Sequence, residues 1–529
     1  MSKKLLNVCL TAILCLTGTT VWAIDKTGDA YQIGSAGDLR AFAELVNGGE
    51  TLANAVLTAD VVCDADMPMI GSDANRFDGV FDGQGHTVTL DAYPTVNGSG
   101  LFQYIGWKGV VKNLVVDGQI TTGNSFAGGI AGYNRGTITS CISKVTINSS
   151  KSGDGTHGGI VGIQYIGGKL INCLAAGEIV GEATTNCGGL IGWLDARCIV
   201  MNNLSLTKMR LATNPDNTRS VARNAGNIRV GMNLYLTREK DTSDDEGIQI
   251  TEEELKNGNA CFVLNSDQSN IVWTQTLGED EYPVPFNTHK QVFANGTVAD
   301  CAGNVGEGTV FNNEGGAEAP KHVMVGGKCQ NCYYWNPFLA ERDAEGFFLL
   351  KDKDCVDWFV KDHELGGEYH SARLMTDVDY KDRTAFLSPS YWFSGEFDGM
   401  GHTLEIALPD NEVENNAPFP NICGATISNL AVKGTVETSK KFAAGLVGHA
   451  NSTPVNYLKN ILVDVQIIST IEGDGTHGTI IGVPNAETYM TNCISVGSIT
   501  TPNGLTDMCG GLVGYAGAAT HLRNCAFLG

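Results

Sequence analysis

Short runs of alternating apolar and polar residues, broken by paired glycines and by asparagine, recur along most of the chain. Gly128-Gly129-Ile130-Ala131-Gly132 returns as Gly158-Gly159-Ile160-Val161-Gly162 and as Gly188-Gly189-Leu190-Ile191-Gly192, a step of 30 residues each time. Later members are Ala444-Gly445-Leu446-Val447-Gly448, Gly478-Thr479-Ile480-Ile481-Gly482 and Gly510-Gly511-Leu512-Val513-Gly514. A second series interleaves with the first: Asn113-Leu114, Cys141-Ile142, Asn172-Cys173, Asn202-Asn203, then Asn429-Leu430, Asn460-Ile461, Asn492-Cys493 and Asn524-Cys525. Alternating stretches such as Val115-Val116-Asp117-Gly118-Gln119-Ile120 follow. A fixed period of this length predicts short strands that turn at glycine and stack on the equivalent strand one repeat later, because no single repeat can bury its own apolar side. The gaps leave no room for crossover helices. A mainly all-β fold of parallel β-helix (solenoid) type is therefore expected, right-handed by the usual sense of parallel connections. A propeller needs regular antiparallel hairpins, which the sequence does not show.

The pattern is duplicated. Ser35-Ala36-Gly37-Asp38 ahead of Leu39, Phe42, Ala43 and Val46 predicts a capped amphipathic helix, and Asp354-Cys355-Val356-Asp357-Trp358-Phe359 takes the same place later. Phe81-Asp82-Gly83-Gln84-Gly85-His86-Thr87 likewise returns as Phe397-Asp398-Gly399-Met400-Gly401-His402-Thr403. Two tandem solenoid units are expected, each with a short N-terminal capping helix. The first spans 24–236 and the second 341–529, with a closing segment and connector over 237–340. The second unit ends on the strand equivalent to Asn202–Leu206 of the first, with nothing after it to close it. An open edge is therefore expected there, covered by self-association or left by a truncated reading frame.

The tetrapeptides Gly189-Leu190-Ile191-Gly192, Gly445-Leu446-Val447-Gly448 and Gly511-Leu512-Val513-Gly514 resemble the GLUG repeat, with Ile and Thr479 versions as departures. The resemblance covers roughly residues 75–206 and 390–529. It implies a repeat carried by secreted and surface proteins, adhesin-like ones among them, and implies no chemistry of its own.

Lys3-Lys4, the apolar run Leu5–Val21 and the small residues of Val21-Trp22-Ala23 predict a signal peptide over 1–23. The mature chain is then exported, extracellular or at the cell surface, with the periplasm as an alternative. The formal charge is −23, and removal of Lys3 and Lys4 takes it to −25. Such a surface repels nucleic acid and anionic lipid, so neither is an expected partner, and no later stretch is apolar enough to insert in a membrane.

Candidate chemistry is sparse. The loops Gly153-Asp154-Gly155-Thr156-His157 and Gly473-Asp474-Gly475-Thr476-His477 occupy corresponding places before a strand. Asp154, Thr156 and His157, with Asp474, Thr476 and His477, offer a carboxylate, a hydroxyl and an imidazole to a ligand such as a sugar or cation. Asp-Gly turn chemistry is the competing explanation. Asp82/His86 and Asp398/His402 are read as coil-closing turns. His363-Glu364 with His370 lacks the one-turn histidine spacing of a zinc protease.

No metal site is assigned. His322 and the pair Cys329/Cys332 have the spacing of half a zinc knuckle, while export favours a disulfide, with Cys301 as a third participant. The ladder cysteines 141, 173, 187, 493, 509 and 525 read as small buried hydrophobes. The acids of the repeats are scattered singly (Asp117, Glu178, Asp195, Asp464), without the paired carboxylates of a glycosidase. No catalytic residue and no cofactor is expected. The expectation is a secreted or cell-surface binding protein for an extracellular glycan or protein. A polysaccharide lyase or glycoside hydrolase on a β-helix is the alternative, and a structural spacer the second.

Overall fold

The computed structural model describes residues 24–195, 198–212, 218–224, 229–231, 233–236, 247–266, 271–298, 300–325, 328–332, 343, 345–364, 371–451, 454–502 and 504–529. The expected signal peptide, His370 and parts of the connector (237–246 and 333–340) lie outside the described residues. The chain is mostly β and is arranged as a β-solenoid. It divides into two compact units, the first comprising Met1–Ala225, Met232–Ala299 and Gly303–Ala319, the second Gly226–Gly231, Asp300–Ala302 and Pro320–Gly529.

In the first unit each coil contributes a strand to three parallel ladders. One stacks Phe102–Ile105, Ala131–Asn134, Val161–Gln164, Ile191–Leu194 and Ala222–Asn224. The next stacks Val80–Asp82, Val110–Lys112, Thr137–Thr139, Lys169–Ile171 and Ile199–Met201, and the third begins with Thr87–Ala92 and Val115–Thr122. Register is kept from rung to rung: Val111, Ile138, Leu170 and Val200 pair in succession. So do Ile120, Ile147 and Ile179, and all seven are fully buried. Ile130, Ile160 and Leu190, the third residues of the glycine-rich motif, are buried in the same column. The second unit repeats the scheme with Phe419–Ile422, Val447–Ala450 and Ile481–Pro484 on one face. Thr426–Thr438 and Asn456–Ser469 run round two faces of it. Cys141 and Cys173 lie buried in adjacent coils, as the ladder reading requires. On the last rung Leu522, Phe527 and Leu528 are exposed.

The chain bends at the motif glycines, at Gly129-Ile130, Gly159-Ile160 and Gly189-Leu190, and it turns again at the asparagine series. Asn113, Ser140, Asn172 and Asn202 have φ between 49° and 54°, and Asn429, Asn460, Asn492 and Asn524 between 51° and 55°. Asparagine is the side chain that tolerates this left-handed region best after glycine. In the second unit the corner amides also bond to each other, Asn460 to Asn429 at 2.8 Å, Asn492 to Asn460 at 3.0 Å and Asn524 to Asn492 at 3.1 Å. The motif glycines also serve close approach. A Cβ on Gly162 would stand 2.1 Å from the carbonyl oxygen of Phe126, and one on Gly192 would stand 2.2 Å from that of Thr156. The backbone of the preceding coil passes directly over both.

The helix Ala36–Asn47 follows from its cap: Ser35 Oγ accepts from the Asp38 amide at 3.2 Å, and Leu39, Phe42, Ala43 and Val46 form its buried face. Phe42 packs at 6.2 Å from Phe77 and 6.0 Å from Phe81, near the start of the ladders. In the second unit the helix Lys353–Glu364 sets Phe359 at 5.9 Å from Phe397. The segment expected to close the first unit runs back along its wall: Trp273 is fully buried, and its Nε1 donates to Asn172 Oδ1 at 3.3 Å, several rungs before the last.

The two roles of glycine give opposite signs for one substitution. Gly162→Ala drives a Cβ into backbone that cannot move away and should cost ~1–3 kcal/mol or more. Gly37→Ala in the helix meets nothing nearer than 3.6 Å and should stabilise by about 0.5–1 kcal/mol. Calorimetric melting of both variants checks this; a neutral Gly162→Ala would refute the close-approach reading.

Candidate functional site

The two Asp-Gly-Thr-His loops are built alike. In each, a two-residue strand pairs with the next coil: Gly153–Asp154 with Thr184–Thr185, and Gly473–Asp474 with Thr506–Asp507. The following threonine turns the chain at φ 47° and the histidine then enters the core. His157 and His477 are completely buried. His157 Nδ1 accepts from the Ala127 amide at 3.1 Å and His477 Nδ1 from the Ala443 amide at 3.2 Å, so the ring proton sits on Nε2. Nε2 then donates to Ser149 Oγ at 2.9 Å in one loop and to Ser469 Oγ at 2.8 Å in the other. Burial pushes both imidazoles down to about 4, so both are neutral.

These histidines, candidates for facing a ligand, are thus internal braces between consecutive coils, each imidazole bridging a backbone amide and a serine hydroxyl. Thr156 and Thr476 are buried as well, each hydroxyl held by the aspartate two residues before it. Only the carboxylates of Asp154 and Asp474 meet solvent, and each has a cation. Arg223 Nη1 lies 3.6 Å from Asp154 and also bonds Thr156 Oγ1 and the Asn186 carbonyl. Lys441 Nζ bonds Asp474 Oδ2 at 2.7 Å and holds that carboxyl below its usual range.

The Phe-Asp-Gly-x-Gly-His-Thr turns share the same hydrogen bonds, and Asp82 alone adds an ion pair with Lys112 at 3.2 Å. Asp82 Oδ1 accepts from the Gln84 amide and from Asn113 Nδ2, while His86 faces Asp60 at 3.3 Å. Asp398, Met400, Asn429, His402 and Asp377 repeat the arrangement. Acids do cluster in a recess lined by Lys353, Asp377, Val378, Asp379, Lys381 and Asp382. There Asp382 pairs with Lys353 and Arg383, Asp379 with Lys381, and Asp377 with His402. None of the three carboxylates stands ready as an unpaired acid or base.

A wall of aromatic and guanidinium groups on the first unit was not singled out in the sequence. Tyr104 and Tyr133 are register partners with ring centroids 5.3 Å apart. Tyr165, just past the next strand, stacks on both at 6.0 and 5.7 Å with interplanar angles of 14° and 23°. Arg76 lies 4.3 Å from the Tyr104 ring. Arg135 sits between Trp107 at 5.3 Å and Tyr165 at 5.0 Å, and Trp107 is 46% exposed. One rung further on, Arg223 covers Trp193 at 5.3 Å. A signal was present: in four of the six motif copies the residue after the last glycine is aromatic or histidine, Tyr133, Trp193, His449 and Tyr515, while Ile163 and Val483 take the place in the other two.

His322, Cys329 and Cys332 do come together, and Cys301 joins them. The four ligand atoms lie within 4.8 Å of one another, and all four residues are buried.

The buried imidazoles make stability depend on acidity. An unfolded chain protonates its histidines near 6.5, whereas the fold resists until about pH 4. Stability is therefore unaffected above pH 6.5, falls between 6.5 and 4, and levels off below, by ~3 kcal/mol for each histidine. Melting temperatures from pH 7.5 to 4.5 should fall less steeply in a His157→Gln/His477→Gln double variant than in the parent. Equal slopes would show that the imidazoles do not carry the effect.

No family model matches the chain. Over 156 residues it is 26% identical to halomucin of Haloquadratum walsbyi, a match that takes in 27% of this chain and 2% of that protein. Among solved structures it is similar to one described as a "putative immunoglobulin A1 protease" from Bacteroides ovatus. That likeness covers 49% of this chain and 92% of the other, at 19% identity and a TM-score of 0.34.

Proposed function

We propose that this chain is an exported, adhesin-like binding protein of the GLUG-repeat kind, acting outside the cell or at its surface and recognising a glycan through the wall of its first unit. In this reading the solenoids are right-handed, each is closed at its N-terminal end by its helix, and neither performs catalysis. The observation that carries the proposal is the exposed Trp107 with Arg135 and Tyr165. A ring that is half open to solvent beside a fixed guanidinium suits a sugar, whose apolar face stacks on indole while its hydroxyl or carboxylate oxygens accept from arginine. Among the described residues no carboxylate pairs with Arg135, although the chain as a whole carries an excess of 23 negative charges. Two further observations favour a rigid platform: the tyrosines beneath are held by stacking, and Arg223 is anchored by Asp154, Thr156 and the Asn186 carbonyl.

A glycan array probed with the full chain tests this. Binding should weaken at least tenfold (about 1.4 kcal/mol) in Trp107→Ala and in Arg135→Ala, with the melting temperature of Trp107→Ala close to that of the parent. Unchanged binding in both variants would remove the wall from the site, and turnover of a glycan would replace the binding reading with that of a polysaccharide-cleaving enzyme.

A further inference from the structure

The connector ahead of the second solenoid carries a grouping that neither the repeats nor the wall explains. All four residues belong to the second unit. Cys329 ends the short hairpin of Met324–Val325 and Lys328–Cys329, and the chain then turns so that Cys332 comes back beside it. The Asn331 amide points at Cys329 Sγ at 3.4 Å, the N–H···S contact that steadies a thiolate in a Cys-x-x-Cys turn. Cys301 Sγ lies 3.4 Å from Cys329 Sγ and 3.5 Å from Cys332 Sγ, and His322 Nδ1 lies 3.2 Å from Cys332 Sγ.

These separations are close to the edges of a coordination shell, and all four ligand atoms lie within 4.8 Å of one another. With metal–sulfur bonds of about 2.3 Å and metal–nitrogen bonds of about 2.0–2.1 Å, a tetrahedron has edges of about 3.8 Å between sulfurs and about 3.6 Å between sulfur and nitrogen. A disulfide needs its sulfurs at about 2.05 Å, and three converging sulfurs cannot all be satisfied by one such bond. The imidazole supplies the fourth corner. The donor set is soft and closed, with no vertex left for substrate.

We infer that Cys301, His322, Cys329 and Cys332 form a structural Cys3His zinc site, which ties residues 300–302 to the hairpin. The need is physical. Among the described residues the chain here forms strands of only two or three residues and is rich in glycine, so little apolar surface is available to hold it, and a metal supplies the cross-link that a core would otherwise provide. Zinc is favoured over harder cations, which prefer oxygen donors. Each coordinating cysteine gives up its proton on binding, so loading releases protons and weakens at low pH.

The full chain, purified without chelator, should contain one zinc per molecule by elemental analysis. Apo protein titrated with Co2+ should develop the visible bands of a tetrahedral thiolate site together with near-ultraviolet sulfur-to-cobalt charge transfer. Cys329→Ser and Cys332→Ser should lower metal content at least tenfold, while Cys509→Ser, an exposed thiol elsewhere in the unit, should leave it at one. The cobalt titration of the parent chain reads the site without any variant having to fold. Absence of both zinc and the cobalt bands would overturn the proposal. So would an intact mass two hydrogens short, mapped by peptide analysis to a disulfide between two of these three cysteines.

Discussion

The ladder strands of the two units find their hydrogen-bond partners in neighbouring coils, so successive backbones must come close enough to pair on all faces at once. That requirement decides the rest. Where one coil's corner crosses the next coil's strand, as Phe126 crosses Gly162, the space is smaller than a methyl group and only glycine fits. Where the chain must change face, a left-handed residue is needed, and asparagine fills it while its amide reaches the next rung. Once those positions are fixed, alternation along each strand sends Ile130, Ile160 and Leu190 inward and Tyr133 and Trp193 outward.

The architecture was legible because a ladder repeats its demands. Paired glycines and asparagines return at a near-constant step, and that step admits few folds. What each residue type does at its place was less legible. Gly162 and Asn172 both look like turn formers in a string of letters; only the neighbouring coil shows that one makes room and the other makes the corner. His157 and His477 leave two readings open in the sequence for the same reason. Their position in a loop beside Asp-Gly suggested exposure, and the amides of Ala127 and Ala443 that draw them inward sit a full coil earlier in the chain. Cys301 is a different case: the sequence groups it with Cys329 and Cys332, and only the fold brings all three sulfurs and His322 to one point.

The groups that face outward depend on the same framework. Tyr104, Tyr133 and Tyr165 can stack because their strands are held one rung apart, which leaves the rings little freedom to lose on binding. Arg223 shows the coupling from another side. It reads as part of the wall through Trp193 and as part of the loop through Asp154, so the first unit's exposed acid and its row of rings are mechanically one surface.

The ladder also sets how such a chain can lengthen. In the first unit the motif glycines recur every 30 residues, whereas in the second the spacing from Ala444 to Gly478 to Gly510 is wider, and Asn456–Ser469 still pairs with Thr426–Thr438 in one register on both sides of the Asn429/Asn460 corner. Extra residues have therefore gone into the bends and none into the faces. A single insertion within a face would swap inward and outward residues over the rest of that strand, while the gain or loss of a whole coil leaves every neighbour's environment as it was. Genetic change in this protein should accordingly come in two sizes: a few residues at the corners, or entire repeats at a time.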